Sequence, residues 1–407
     1  MTTIRPFFSE QSAVNALNST KILSQWHRLV GTDGEKQARE WISAEFEKTG
    51  ITFDREEFVT SDYAINVVFR VISPLLGFSL VFAFLVSIFR MLNGWLGVFA
   101  AAGVVLFALA QSAIMDRCFG KGENAPFGKR FSTENIIGRI DAREAKATVI
   151  FLCHYDSKSQ TYPSYVRVLL FLLGATWTLV DAIRLLVNQI FSLFGAVLLG
   201  TFWDIAWWDI FIAFILNFSL IFNKVGNNSP GALDNAAAVG ILLELARIYQ
   251  RYPPQDLRLR FVATGSEELG LNGAAEYVRH HSTDLDRATT YFIVYDSPSM
   301  KRTAWLLTSF GVPKKVISQE ISDILLKVGR DSNIPVKSLW LPIGAATDHL
   351  VITQAGYKAG VITGPSSQVH TSKDTVKFVT TEGLQRAGML GVGFVQKIEE
   401  RISGIEP

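Results

Sequence analysis

Residues 231–270 read GALDNAAAVGILLELARIYQRYPPQDLRLRFVATGSEELG, and this stretch decides the fold. GALDNAAAVGILLELARIYQRY has the apolar spacing of a helix, and LRLRFVAT at 257–264 reads as a strand. Asp234 stands in the turn that opens the helix, and Glu267 and Glu268 follow the strand before a Gly-rich turn. Alone, Asp234 would read as an N-terminal cap and the two glutamates as solvated acids.

The same alternation continues on both sides. Upstream, EKQAREWISAEFEKTG at 35–50 reads as a helix ending on Gly50, ITFDREEFV as a strand, and NIIGRI and ATVIFLCHYD as two more strands. Downstream, LNGAAEYVRHH reads as a helix and TTYFIVYD as a strand. Strands alternating with helices imply an α/β fold, a three-layer α/β/α sandwich around a mixed, mostly parallel sheet.

Strand ends carry the chemistry in such sheets. His154 closes an apolar strand, and Asp156, two residues on, points to the same side and is placed to accept the proton of the imidazole nitrogen that does not bind metal. Asp296 ends TTYFIVYD, and His370 lies in the polar loop VHTSKDT. His, Asp, Glu-Glu, Asp and His in this order supply what a dinuclear hydrolytic site needs: a bridging carboxylate, one His and one carboxylate per metal, and a spare carboxylate for the proton. Nitrogen and oxygen donors without a thiolate cluster suit zinc, with manganese or cobalt as alternatives.

The 407 residues are 49% hydrophobic, too apolar for a purely soluble chain. Between Asp62 and Asp116 the only charges are Arg70 and Arg90, and two apolar runs there are each about one bilayer long, predicting a helical hairpin turning at Arg90 to Asn93. A second apolar block runs from Arg167 to Lys224. His154 precedes it and Asp234 follows it, so the number of crossings must be even. Of three pieces, around 168–180, 185–202 and 210–222, two are expected to span and one to lie at the interface, as Trp203, Trp207 and Trp208 suggest. Asp181 and Arg184 share a helical face and are placed to neutralise each other. The domain boundaries expected are 1–64, 125–163 and 225–407 for one α/β domain, 65–116 for the first transmembrane hairpin and 165–223 for the second.

A formal charge of +2 gives no bulk case for nucleic acid. Two cysteines give no disulfide framework, and the N-terminus lacks the apolar run of a secretory signal. Arg117, Lys121, Lys129, Arg130, Arg167 and Lys224 flank the apolar blocks on the α/β side and favour a cytoplasmic location for it in a multi-pass membrane protein.

HYDS, GALDNAAAVGILLELAR, ATGSEELGLNGAAEYV, YDSPS, the TDH followed by QAGY at 347–357, and HTSKDT stand in the order of the co-catalytic di-zinc aminopeptidase family, which the chain resembles and whose relatives include glutamate carboxypeptidases and glutaminyl cyclases. The resemblance implies two zinc ions: His154 and Asp296 on one, Glu268 and His370 on the other, Asp234 between them, Glu267 as general base and Asp156 behind His154. It implies an aminopeptidase acting on peptide substrates. The cyclases typically retain a single zinc, so the complete ligand set favours peptide hydrolysis; a related zinc carboxypeptidase or cyclase is one alternative. Many members have Tyr before the last histidine where this chain has Val369, which leaves open a scaffold or receptor keeping a relic site.

Overall fold

A computed structural model of the chain describes residues 6–89, 94–196, 204–298, 303–342 and 346–404. Two units emerge: Met1–Asp62, Phe119–Ser159 and Gly226–Pro407 form one, and Tyr63–Cys118 with Gln160–Val225 form the other.

The first unit is built on a nine-stranded sheet. In chain order its strands are β1 (Thr52–Ser61), β2 (Arg130–Ile140), β3 (Ala147–His154), β4 (Leu257–Thr264), β5 (Thr290–Asp296), β6 (Ala304–Phe310), β7 (Lys315–Val316), β8 (Val336–Leu341) and β9 (Lys358–Thr363). The spatial order is β1-β2-β4-β3-β5-β9-β6-β8, with β7 added to β6. The central strands β4, β3, β5 and β9 run parallel, while β1 and β2 form an antiparallel edge. All eight residues of β3 are buried, which is why ATVIFLCH is apolar without alternation.

Both faces are covered. On one, Phe151 of β3 stacks on Phe261 of β4 and lies beside Tyr295 of β5, whose hydroxyl donates to the Ala387 carbonyl of the helix Thr381–Ile402. On the other, Tyr277 of the helix Asn272–His280 meets Phe292 of β5 edge to face. The helix read at 35–50 spans Asp33–Lys48, capped by the Thr32 side chain. Because β3, β4 and β5 are parallel, their C-terminal ends share one edge: His154 pairs with Thr264, and Thr363 pairs with Asp296.

The second unit consists of the helices Phe69–Phe89, Gly94–Asp116, Ser164–Leu193 and Trp207–Ser219, the last followed by a 3-10 turn at Leu220–Phe222. Three stretches, Tyr63–Ile88, Gly94–Asp116 and Ser164–Leu193, are long and apolar enough to cross a membrane, and Trp207–Phe222 is a shorter apolar helix. The expected division of the second apolar block is corrected here. Residues 168–180 and the first part of 185–202 form one unbroken 30-residue helix, inside which Arg184 Nη1 donates to Asp181 Oδ1 at 2.8 Å; beyond the helix its Nη2 donates to the Asp204 carbonyl at 2.7 Å. The turn expected at 90–93 and Trp203 lie outside the described residues. Asn217 is buried where helices approach closely: its Nδ2 donates to Thr178 Oγ1, Gly174 O and Ala213 O, and a Cβ at Gly77 or Gly174 would stand 3.1–3.2 Å from its side chain.

Candidate metal centre

Two acidic–imidazole groups form at the C-terminal edge of the parallel strands. His154, Asp234 and Asp296 make one, Asp234, Glu268 and His370 the other, with ligand atoms within 4.8 Å of one another in each. Asp234 belongs to both: its Oδ1 lies 3.1 Å from His154 Nε2 and its Oδ2 3.1 Å from His370 Nε2. Asp234 is therefore no helix cap. The following helix begins only at Ala237, and Asp234 and Asn235 depart from helical backbone angles, which turns the carboxylate into the site. Glu268 Oε2 lies 3.1 Å from His370 Nε2, and Glu267 Oε2 lies 3.8 Å from His154 Nε2.

Asp156 stands behind His154 and reaches it most closely through its main chain. His154 Nδ1 donates to the main-chain carbonyl of Asp156 at 3.0 Å, while the nearer Asp156 carboxylate oxygen stands 3.6 Å away. The carboxylate instead accepts the backbone N–H groups of Glu267 and Glu268, both at 3.1 Å, because two otherwise unpaired buried amides at the strand exit outcompete a ring nitrogen already served by a carbonyl. Asp156 thus fixes the glutamate pair, and the carbonyl fixes the imidazole with Nε2 toward the site.

Further residues hold the loops, and the sequence reading missed them. Arg28 is fully buried and donates to the carbonyls of Leu23, Trp26, Tyr155, Pro230 and Gly231, tying the β3 exit to the loop before Asp234. Gly231 has φ +59°, and a Cβ there would stand 2.5 Å from Ser157 Cβ. Asp374 accepts from the backbone N–H of Leu233 at 2.7 Å and of Asp234 at 3.2 Å. Asn235 joins this loop to the end of β5, donating to Tyr295 O and accepting from Ser297 N. Lys158, also missed, places its ammonium 2.7 Å from Glu268 Oε2. The only sequence signal for Lys158 and Asp374 is that each lies within a few residues of a candidate ligand. Ser266, Ser297 and His370, next to or among the ligands, adopt positive φ without being glycine.

Crowded buried carboxylates set the electrostatics. Burial, reinforced by Glu268, Asp348 and Asp296, pushes Glu267 well above the usual carboxylate range. Burial and the Asp234 charge raise Asp296 to about 6, and burial raises Asp348 to about 7. Against burial, His370 and Lys158 lower Glu268 to about 2, and the two histidines hold Asp234 far below its ordinary value. Burial opposes protonation of His154, but Glu267, Asp156 and Asp234 more than reverse it and hold the ring above its ordinary value.

This arrangement fits divalent cations. His154 Nε2 is buried without a hydrogen-bond partner and aimed at acceptor-only carboxylates. The donors are imidazole and carboxylate, which suit zinc. Val369, preceding His370, packs against the hydrophobic core, and its side chain offers no hydrogen-bond donor.

Fold and site together define a class: an α/β domain with carboxylates and imidazoles gathered for metal at the strand ends. Residues 215–395 of the chain match the model of peptidase family M28. That match contains Asp234, Glu267, Glu268, Asp296 and His370; His154 and Asp156 precede it. Aminopeptidase YwaD of Bacillus subtilis (strain 168) is 34% identical over 172 residues, 40% of this chain and 36% of that protein, so the alignment spans about a third of the relative. Among solved structures, the aminopeptidase from Aneurinibacillus sp. strain AM-1 matches with a TM-score of 0.56 at 14% identity, covering 95% of this chain and 96% of its own. An Acidobacteriales bacterium glutaminyl cyclase matches with a TM-score of 0.55 at 15% identity, covering 98% of each. These two likenesses are of fold.

Proposed function

We propose that the protein is a membrane-anchored, zinc-dependent aminopeptidase that removes N-terminal residues from peptides with a dinuclear site. One observation carries the reading: two ligand groups share Asp234, with the spare carboxylate of Glu267 beside them. His154 and Asp296 would hold one zinc, Glu268 and His370 the other, and Asp234 both. Zinc bound there supplies a charge that polarises the scissile carbonyl and acidifies a water.

The protein's own part is positioning and proton transfer. Asp156, through the amides of Glu267 and Glu268, keeps one glutamate on the ligand side and the other free. Glu267 takes the proton of the attacking water on its carboxylate and passes it to the leaving amine nitrogen. With Val369 in place of a phenol, no side chain preceding His370 donates to the developing oxyanion.

Anchoring rests on the helical unit, whose outward side chains such as Phe99 and Leu106, each 67% exposed, are apolar. The basic flanks support a cytoplasmic location for the peptidase domain.

The test is metal content together with turnover on a panel of aminoacyl substrates, for the detergent-purified chain and Glu267→Gln. About two zinc ions per chain in both, with turnover only in the wild type, is expected. A chain that binds no metal and shows no chelator-sensitive hydrolysis sinks the reading.

A further inference from the structure

Peptide hydrolysis gathers negative charge on one oxygen. As the attacking water forms its bond to the scissile carbon, the C=O π pair moves onto the carbonyl oxygen, and Glu267 takes the water proton; when the pair returns, the C–N bond breaks and Glu267 hands the proton to the amine nitrogen. A protein donor aimed at that oxygen acts most strongly where little water reaches. Among the described residues that form the centre, Asp234, Glu267, Glu268 and Asp296 are acceptors, His154 and His370 direct Nε2 at carboxylates, and the side chain of Val369 carries no donor. One buried cation at the same edge has donors to give. Lys158 follows the β3 exit, is 6% exposed, and places its ammonium 2.7 Å from Glu268 Oε2 and 3.2 Å from the Glu268 main-chain carbonyl. An ammonium has three N–H groups, and these two acceptors leave one. Glu268 Oε2 also faces His370 Nε2 at 3.1 Å, so the ammonium stands against the ligands of the centre itself. Arg28, also buried beside the centre, gives its donors to five main-chain carbonyls instead.

We infer that Lys158 is a catalytic residue, the protein's oxyanion donor: with two N–H groups held by Glu268, its third donates to the carbonyl oxygen of the scissile bond as that oxygen gains charge. This rests on the hydrolase reading above. Lys158 gives up no proton. Its hydrogen bond strengthens from substrate to tetrahedral intermediate, so it lowers the barrier while changing substrate binding little. The Glu268 carboxylate supplies the counter-charge that keeps an ammonium in this buried place. The Lys158 backbone N–H donates to Glu268 Oε1 at 3.1 Å whatever the side chain is, so replacing the side chain leaves that hold on the glutamate.

The test uses the full zinc-loaded chain in detergent and the best substrate of the aminoacyl panel. Steady-state kinetics and zinc content are measured beside inhibition by two probes with the side chain of that substrate: a 1-aminoalkylboronic acid, whose hydrated boron is tetrahedral like the intermediate, and the free amino acid, which is not. Lys158→Met should lower kcat by about 10²-fold with KM nearly unchanged, weaken the boronic acid by a similar factor, and leave zinc content and the amino acid alone. Lys158→Arg, which keeps a charged donor, should hold both kcat and boronic acid binding within about tenfold of the wild type. Lys158→Gln, shorter and uncharged, is the second variant should Lys158→Met not fold. An unchanged kcat, a kcat loss that boronic acid binding does not follow, or loss of zinc in both uncharged variants overturns the inference and leaves the hydrolase reading intact. A wild type that neither hydrolyses the panel nor binds the boronic acid overturns both.

Discussion

Glu267 shows why adjacent carboxylates can differ in role. Its neighbour Glu268 is drawn to low pKa by His370 and Lys158, whereas Glu267 is pushed up by burial and by other acids. Glu267→Gln should lower kcat by about 10²–10⁴-fold with metal content and KM nearly unchanged, as steady-state kinetics beside elemental analysis would show. A fall below tenfold would remove Glu267 from proton transfer. Asp374 acts one step back. Asp374→Ala leaves the amides of Leu233 and Asp234 buried and unpaired, each at about 1–3 kcal/mol, so the melting temperature should drop markedly and metal affinity should fall with it. A variant that melts like the wild type would show that water replaces the carboxylate. The candidate ligand types could be picked out of the sequence because His154, Glu267, Glu268 and Asp296 stand at or just after strand ends, with Asp234 in a helix-opening turn and His370 in a polar loop completing the set. Arg28, Lys158 and Asp374 could not, because the contacts by which they hold the site, Arg28 with Tyr155 and Gly231, Lys158 with Glu268 and Asp374 with Leu233, each span more than a hundred residues and no spacing rule links them.

At the scale of the element, the helix Asp33–Lys48 buries a charge that its periodicity does not explain. Glu35 is 1% exposed and accepts from Thr133 Oγ1 at 2.7 Å and Tyr155 Oη at 2.9 Å, with Arg39 Nε at 3.4 Å. Burial outweighs these partners and holds its carboxyl above the ordinary value. A carboxyl so raised binds its proton more tightly folded than unfolded, so its contribution to stability is full below pH 4.5 and is lost as pH rises through the folded value. Glu35→Gln keeps an oxygen to accept both hydroxyls and removes the charge. It should raise the melting temperature at pH 8 by roughly 2–4 °C, the response to about 1 kcal/mol, with the difference vanishing near pH 4. A destabilised variant at pH 8 would mean that the Arg39 pair outweighs burial. Among the elements themselves, the helix Asp33–Lys48 and strands β3, β4 and β5 were legible because apolar spacing and Gly or polar ends mark them. The join of 168–180 with the residues after it was not, even with Asp181 and Arg184 read as a pair on one helical face, because a long apolar block carries no spacing signal for where its helices begin and end.

At the scale of the molecule, the sheet unit is assembled from three separate stretches, with the helical segments leaving after Asp62 and after Ser159. If those segments span a bilayer, each excursion must cross it an even number of times for the chain to re-enter the same unit. The first supplies two spans, Tyr63–Ile88 and Gly94–Asp116. The second has one long span, Ser164–Leu193, so the return falls to the Trp207–Phe222 helix, which at 1.5 Å per residue reaches about 24 Å against a hydrocarbon core of about 30 Å. Local thinning of the bilayer accommodates such a shortfall at modest cost. Trp207 and Trp208, exposed at the start of this helix, suit its arrival at the headgroups. Two cysteine probes in a Cys118→Ser background test the crossing: Ala196→Cys, exposed just beyond the long helix, and Ser282→Cys, exposed in the sheet unit. An impermeant maleimide should label Ala196→Cys in intact cells and Ser282→Cys only after permeabilisation. The reverse pattern would place the peptidase domain outside the cytosol while keeping the spans. Labelling of both in intact cells would mean that Ser164–Leu193 does not cross, and that its apolar surface meets something other than a bilayer.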